Sequence, residues 1–400
     1  MNQDPTTLRE PSTSPKSAQP VNIGLATAAA VGAIFVGIGL ARLGFAPLEP
    51  ALVTNGWFSG GGAALLAATN LGGYLLGTLS GSHMARHIRA TTLLRLMMLA
   101  IAVSFLACAD ASFPFAWFLF WRVVSGFAGG VIMGLAGPTV LAHVPERRRA
   151  LIGQLLLYGI TGGILVAGAL MPVVLASSVE LGWIVLGLLS LLATVLTWRL
   201  WPASPSPVAA AKAVPERARL FCLQYGLVAI GVVPQMIFLV DYIARDLGRG
   251  VNVGSHFFLL YGLGSLSGPL LYTFVTGKIG LRKLLRAGIV VQLVADLLLL
   301  TGSSTAILAA ASFMAGLGAP ALIAAFLLRS QQITEGDPIR HRALWGVASA
   351  SFAVGQAGAA FGTAFLLDRF GEGGLGYPLL FTAGSAALLV ALLLDFAIRR

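Results

Sequence analysis

Twelve mostly apolar stretches, each about 20 residues or longer, follow one another along this chain of 400 residues, and few folds accept that pattern. A bilayer core of about 30 Å is crossed by roughly 20 helical residues, because each residue adds about 1.5 Å. The stretches lie near 22–48, 57–80, 92–109, 115–142, 151–175 and 181–201, then 220–244, 254–277, 284–301, 305–329, 343–367 and 377–398. Only 10% of residues are charged while 57% are hydrophobic, so the charges cannot cover a water-exposed surface of this size. The pattern predicts an all-α polytopic membrane protein with the lipid bilayer as its solvent. Residues 1–20, rich in Pro, Ser and Thr, read as a disordered tail; the apolar stretch behind them is too long for a cleavable leader.

The net charge of +11 has its explanation in topology. With the N-terminus inside, 21 of the 26 basic residues fall in inner loops and tails, which is where positive residues accumulate. This predicts both termini on the cytoplasmic side of an inner (plasma) membrane. The other five are Arg42 and Arg122 within spans, and Arg245, Arg249 and Arg369 near the outer face. No basic stripe stands beside aromatic stacking residues, so nucleic acid is not an expected partner. The two cysteines, Cys108 and Cys222, fall near opposite ends of different spans, too far apart to pair. No metal-ligand spacing and no P-loop, HExxH or GxSxG motif occurs, so no metal, cofactor or enzyme activity is expected.

The chain also repeats itself. PERRRALIG at 145–153 and PIRHRALWG at 338–346 agree at six of nine positions, 193 residues apart. Both are placed by the span count in inner loops, after spans four and ten. The same offset relates Arg89 to Arg282, after spans two and eight. The Pro/Ala/Ser-rich segment 202–219 lies between the halves and reads as a cytoplasmic linker joining bundles 21–201 and 220–400. Two six-span halves in the same orientation are a transporter pattern.

Twelve spans in a 6+6 repeat around a central loop resemble the major facilitator superfamily over essentially the whole chain. Arg122-Val-Val-Ser-Gly126 is similar to that superfamily's RxxxG motif of span four. Its inner-loop motif departs here: the acidic position is occupied by Gly81 in one copy and Gly277 in the other. The span-five antiporter motif is reduced to Gly159-Ile-Thr-Gly-Gly163-Ile, without its Pro. Gly37-Ile-Gly-Leu-Ala-Arg42-Leu-Gly-Phe-Ala-Pro47-Leu-Glu-Pro50, the tract Tyr225 to Pro234, and Gly355-Gln356 resemble the YbfB/YjiJ-like branch. The resemblance implies two pseudo-symmetric six-helix bundles, alternating access and a pathway lined by spans 1, 4, 7 and 10.

A charged side chain at the bilayer centre costs about 2.5–3.5 kcal/mol, so each one within a span needs a partner, a wet cavity or a route to the interface. Arg42 either snorkels to the outer headgroups or, if Pro47 and Pro50 kink a long first span, faces the cavity and attracts an anionic group. Arg122 either contacts solute and coupling groups, as the family motif implies, or bonds neighbouring helix carbonyls. Glu49 and Asp241, 192 residues apart, place one acid near the outer end of the first span of each half. They read either as an opposed pair meeting Arg42 and Arg122 and carrying protons, or as two interfacial carboxylates. Asp296, deep in span nine, is a third coupling candidate or a protonated, helix-bonding acid. Asn70, Tyr74, Gln154, Tyr158, Gln235, Tyr261 and Gln356 are the neutral polar candidates for solute contact, each also suited to joining helices. The expected function is secondary transport of a small organic solute by a monomer, coupled to protons and directed outward. Transport without proton coupling, as a uniporter or uptake permease, is the alternative.

Overall fold

The computed structural model describes residues 21–202, 218–335, 337–371 and 374–397. The expected tail 1–20 lies outside the described residues, as does nearly all of the expected linker.

The described residues form helices and short connections. The helices are α1 (Ile23–Thr54), α2 (Gly60–His87), α3 (Ala90–Ala107), α4 (Phe115–Leu141), α5 (Glu146–Leu175) and α6 (Val179–Thr197). The second set is α7 (Ala218–Asp246), α8 (Gly250–Ile279), α9 (Leu281–Thr301), α10 (Thr305–Ile333), α11 (Pro338–Phe370) and α12 (Gly376–Ala397). Eleven of these, judged on described residues, are long and apolar enough to cross a membrane; α8, a helix of 30 residues, completes the series in its expected place.

Local sequence sets the ends. Ser59, Ser178 and Ser304 cap α2, α6 and α10, each side-chain oxygen accepting from the amide three residues on. Pro114 precedes α4, and Gly280, at φ 79°, turns the chain between α8 and α9. Several helices outrun the apolar stretches that announced them: α2 continues to His87, α5 begins at Glu146 and α11 at Pro338. The repeated PERRR and PIRHR segments, expected in loops, therefore begin helices, with Pro145 and Pro338 at the starts. Hydropathy falls where a helix leaves the hydrocarbon, but backbone bonding persists into the headgroup layer.

The halves are built alike. In the first, α2 packs on α4, α3 on α4 and α6, and α1 on α5; in the second, α8 packs on α10, α9 on α10 and α12, and α7 on α11. Each pairing recurs six helices later. The closest approaches recur as well: a Cβ on Gly126 would overlap the carbonyl oxygen of Asn70, and one on Gly316 that of Tyr261. Gly73 and Gly264 face the Val123 and Phe127 backbone and the Phe313 and Leu317 backbone in the same manner. The small residues thus let backbones touch at equivalent points of two six-helix bundles.

Contact between the bundles runs along α2 against α11 and α5 against α8. Gly61 faces Asp368, Gly72 faces Phe361, Gly168 faces the Leu259 backbone, and the Thr161 and Ser265 hydroxyls bond at 2.9 Å. The contacts at Gly61, Gly72 and Gly168 lie in the half of the molecule away from the described chain ends, and the Thr161–Ser265 bond lies at the middle of α5 and α8.

Candidate functional site

The first helix does not run straight to its end. From Phe35 to Leu43 its backbone is wound wider, with bonds to the fifth residue back, and the chain then turns through Gly44–Pro47 into a short helical segment, Leu48–Thr54. The distortion thus begins well ahead of the prolines that predicted a kink. Gly39 and Gly163 are responsible for its closeness to α5: their backbones touch, and a Cβ on Gly39 would lie 2.9 Å from the Gly163 Cα. The seventh helix repeats the device at Tyr242–Asp246.

The wide turn carries Arg42 into the interior. Its Nη1 donates to Gln356 Oε1 at 3.0 Å, and its guanidinium lies 4.0 Å over the Tyr74 ring. Gln356 comes from α11, so this hydrogen bond joins the two halves near mid-membrane. Three sequence candidates therefore meet, and Arg42 is buried among them rather than exposed at the surface of the molecule.

Arg122 is buried beside this group but faces backbone. It donates to the carbonyls of Leu66 at 3.3 Å and Ala41 at 2.9 Å, and its guanidinium lies 4.0 Å over the Phe45 ring. These are the carbonyl bonds of the structural alternative. Asn70 supports the same corner, donating to Ser125 Oγ at 2.8 Å.

Glu49 and Asp241 come together, each fully buried. Neither oxygen of Glu49 has a hydrogen-bond partner; Asp241, Arg245 and Arg122 are the charges in its electrostatic reach. Asp241 does not pair with Arg42 or Arg122 as expected. Its partner is Arg245, one helical turn along, with both oxygens bonded at 2.5 Å, and the Tyr377 hydroxyl donates to it as well. Arg245 was expected at the outer face because the apolar stretch ends there; the helix instead continues and folds the side chain back. An Asp and Arg four apart was the available signal for this pair. Nothing local marked Tyr377, 136 residues away.

Asp296, also fully buried, accepts from Gln235 Nε2 at 2.8 Å, which joins two more candidates across α9 and α7. Asp296 Oδ2, Gln235 Oε1 and the whole Gln292 amide are buried without partners. Tyr261 stacks on Phe258 with centroids 5.7 Å apart and lies within electrostatic reach of Asp296. Gln154 and Tyr158, one turn apart on α5, are partly exposed. Among the described residues no group of His, Cys, Asp and Glu is placed to hold a metal ion, and Cys108 and Cys222 are free and buried.

A repeated six-helix bundle with charged groups buried where its halves meet defines a membrane transporter of the major facilitator fold. A family model described as the uncharacterised MFS-type transporter YbfB matches residues 34–396, and the chain belongs to that family. No curated protein sequence matches it. Among solved structures, a point mutant of the nucleoside transporter NupG is similar in fold, with a TM-score of 0.74 over 95% of this chain and 100% of that chain at 12% identity. The family and the fold are those of proteins that move small molecules through membranes.

Proposed function

We propose that this chain is a proton-coupled secondary carrier for a small organic solute with a negative or strongly polar group, working as a monomer by alternating access. The rocking bodies are residues 21–201 and 220–400, joined by the linker 202–219, with both termini on the cytoplasmic side of an inner membrane. The observation that carries this reading is the Arg42–Gln356 hydrogen bond. It ties the halves at mid-membrane, as does the Thr161–Ser265 bond, while the close glycine contacts between the halves at Gly61 and Gly168 lie toward the end away from the described chain ends. With the termini inside, that is a state closed to the outside and open inward.

The residues divide by position. Arg42, Tyr74 and Gln356 form the solute site, with Gln154 and Tyr158 on the facing helix. Arg122, Asn70, Gln235 and Tyr261 hold the walls of that site. Glu49 and Asp241 carry protons: in the closed state Arg245 neutralises Asp241, and Glu49 is left without a hydrogen-bond partner in a setting where a charge is costly. Opening the outer end separates these groups and exposes them to water. Asp296 is a second proton site inside the second bundle, and the direction proposed is export.

The test begins with metabolites that accumulate in a deletion strain, followed by flux of the candidate solute in proteoliposomes with internal and external pH recorded. Solute movement accompanied by proton movement is expected. It should be lost in Arg42→Gln and uncoupled from pH in a Glu49→Gln, Asp241→Asn double variant. Solute flux without proton movement would leave a uniporter and defeat the coupling.

A further inference from the structure

One cluster of charge has no part in the transport path. Asp395, near the end of α12, is fully buried. Its Oδ2 accepts from Arg286 Nε at 2.6 Å and from Arg282 Nε at 3.2 Å, both in the first two turns of α9. Arg282 also donates to the Asp395 main-chain carbonyl. Arg329, near the C-terminal end of α10, is within electrostatic reach of all three. One carboxylate therefore stands among three guanidinium groups and leaves an excess of two positive charges. Arg282 and Arg286 are 34% and 28% exposed, so this excess faces outward while the acid beneath fixes its geometry.

The surroundings of the notch point to what it holds. Arg286 sits about 8 Å inside the start of α9, at headgroup rather than mid-membrane depth. At four-residue steps from it along α9 come Val290 and Val294, 40% and 37% exposed. On the neighbouring α12, Leu389, Leu393 and Phe396 are about half exposed, and the Arg286 guanidinium lies 3.9 Å over the Phe396 ring. A basic notch thus opens directly onto apolar faces leading into the hydrocarbon. A soluble anion would use the charge alone, whereas a phospholipid uses both. The equivalent place in the first bundle has Arg95 over Trp198 at 5.5 Å, with no acid bonded to the guanidinium Nε.

We propose that the notch of Arg282, Arg286 and Arg329, organised by Asp395, binds the phosphate of an anionic phospholipid, whose acyl chains lie along α9 and α12. Guanidinium groups match phosphate oxygens in geometry as well as charge. Basic pockets between helices on the cytoplasmic side are suited to such headgroups. The site is independent of the transport reading.

The test uses the full chain purified in detergent and titrated with phosphatidylglycerol, phosphatidylcholine or inorganic phosphate. Bound lipid is read by native mass spectrometry and stabilisation by the shift in Tm. Phosphatidylglycerol is expected to be retained at one site and to raise Tm, with phosphatidylcholine and inorganic phosphate doing neither. Arg329→Gln, which leaves the Asp395 bonds in place, should weaken retention about fivefold, on about 1 kcal/mol per cation. Arg286→Lys, which keeps the ion pair but removes the fork, should weaken it too, and Arg95→Gln should not. Equal retention of phosphatidylcholine, unchanged binding in both notch variants, or an equal Tm rise with inorganic phosphate would overturn the proposal.

Discussion

Asp241 shows how a single buried carboxylate depends on its neighbours. Arg245 supplies the charge and Tyr377 a further donor. Arg245→Ala leaves the acid buried without a cation and should cost about 3–5 kcal/mol, read as a lowered Tm of the purified protein. Tyr377→Phe removes one hydrogen bond and should cost about 1–3 kcal/mol in the same measurement. Arg42 and Arg122 should separate by the quantity they change. Arg42→Lys keeps the charge but loses the fork, so it should raise the KM for solute about tenfold with little change in Tm. Arg122→Lys loses carbonyl bonds to two helices and should lower Tm instead. Such roles are only partly written in the sequence. Arg42, Glu49, Asp241 and Asp296 were legible because a charge in an apolar stretch needs a reason. Asp395 was passed over because a charge near a span end reads as interfacial, although packing against α9 buries it completely.

Helix contacts here are set by where a Cβ is missing. Gly126 and Gly316 each lie against a carbonyl oxygen of the facing helix, at matching points of the two bundles. Gly126→Ala and Gly316→Ala should therefore both reduce folded yield and lower Tm, whereas Gly134→Ala, with open space around it, should stay within about 0.5 kcal/mol of the parent. The order and number of helices were readable from apolar length, and the repeat from nine residues in each half. The wide turn at Phe35–Leu43 was not, since it follows from the meeting of Gly39 with Gly163 on another helix. Helix ends were misjudged wherever Arg, His or Glu extend a helix past the hydrocarbon, because hydropathy measures the solvent and hydrogen bonding measures the helix.

At the scale of the molecule, the described residues hold the two bundles together by close glycine contacts at one end and by the Arg42–Gln356 and Thr161–Ser265 hydrogen bonds near the middle. Thr161→Cys with Ser265→Cys replaces hydroxyls 2.9 Å apart, so an oxidant should join α5 to α8 and stop transport, with activity restored by reduction. The native cysteines are buried and should contribute little background. Transport unaffected by the cross-link would mean that the halves do not part along this seam. The Arg42–Gln356 bond has a consequence for selectivity as well. On the proposed reading, Gln356 occupies the guanidinium that an anionic solute would need, so the empty carrier would act as its own competitive inhibitor. A neutral carbonyl that displaces the amide exchanges one bond for another of similar strength. A carboxylate that takes both arms of the fork would gain on the exchange, so on that reading the resting protein would screen solutes by what they can evict.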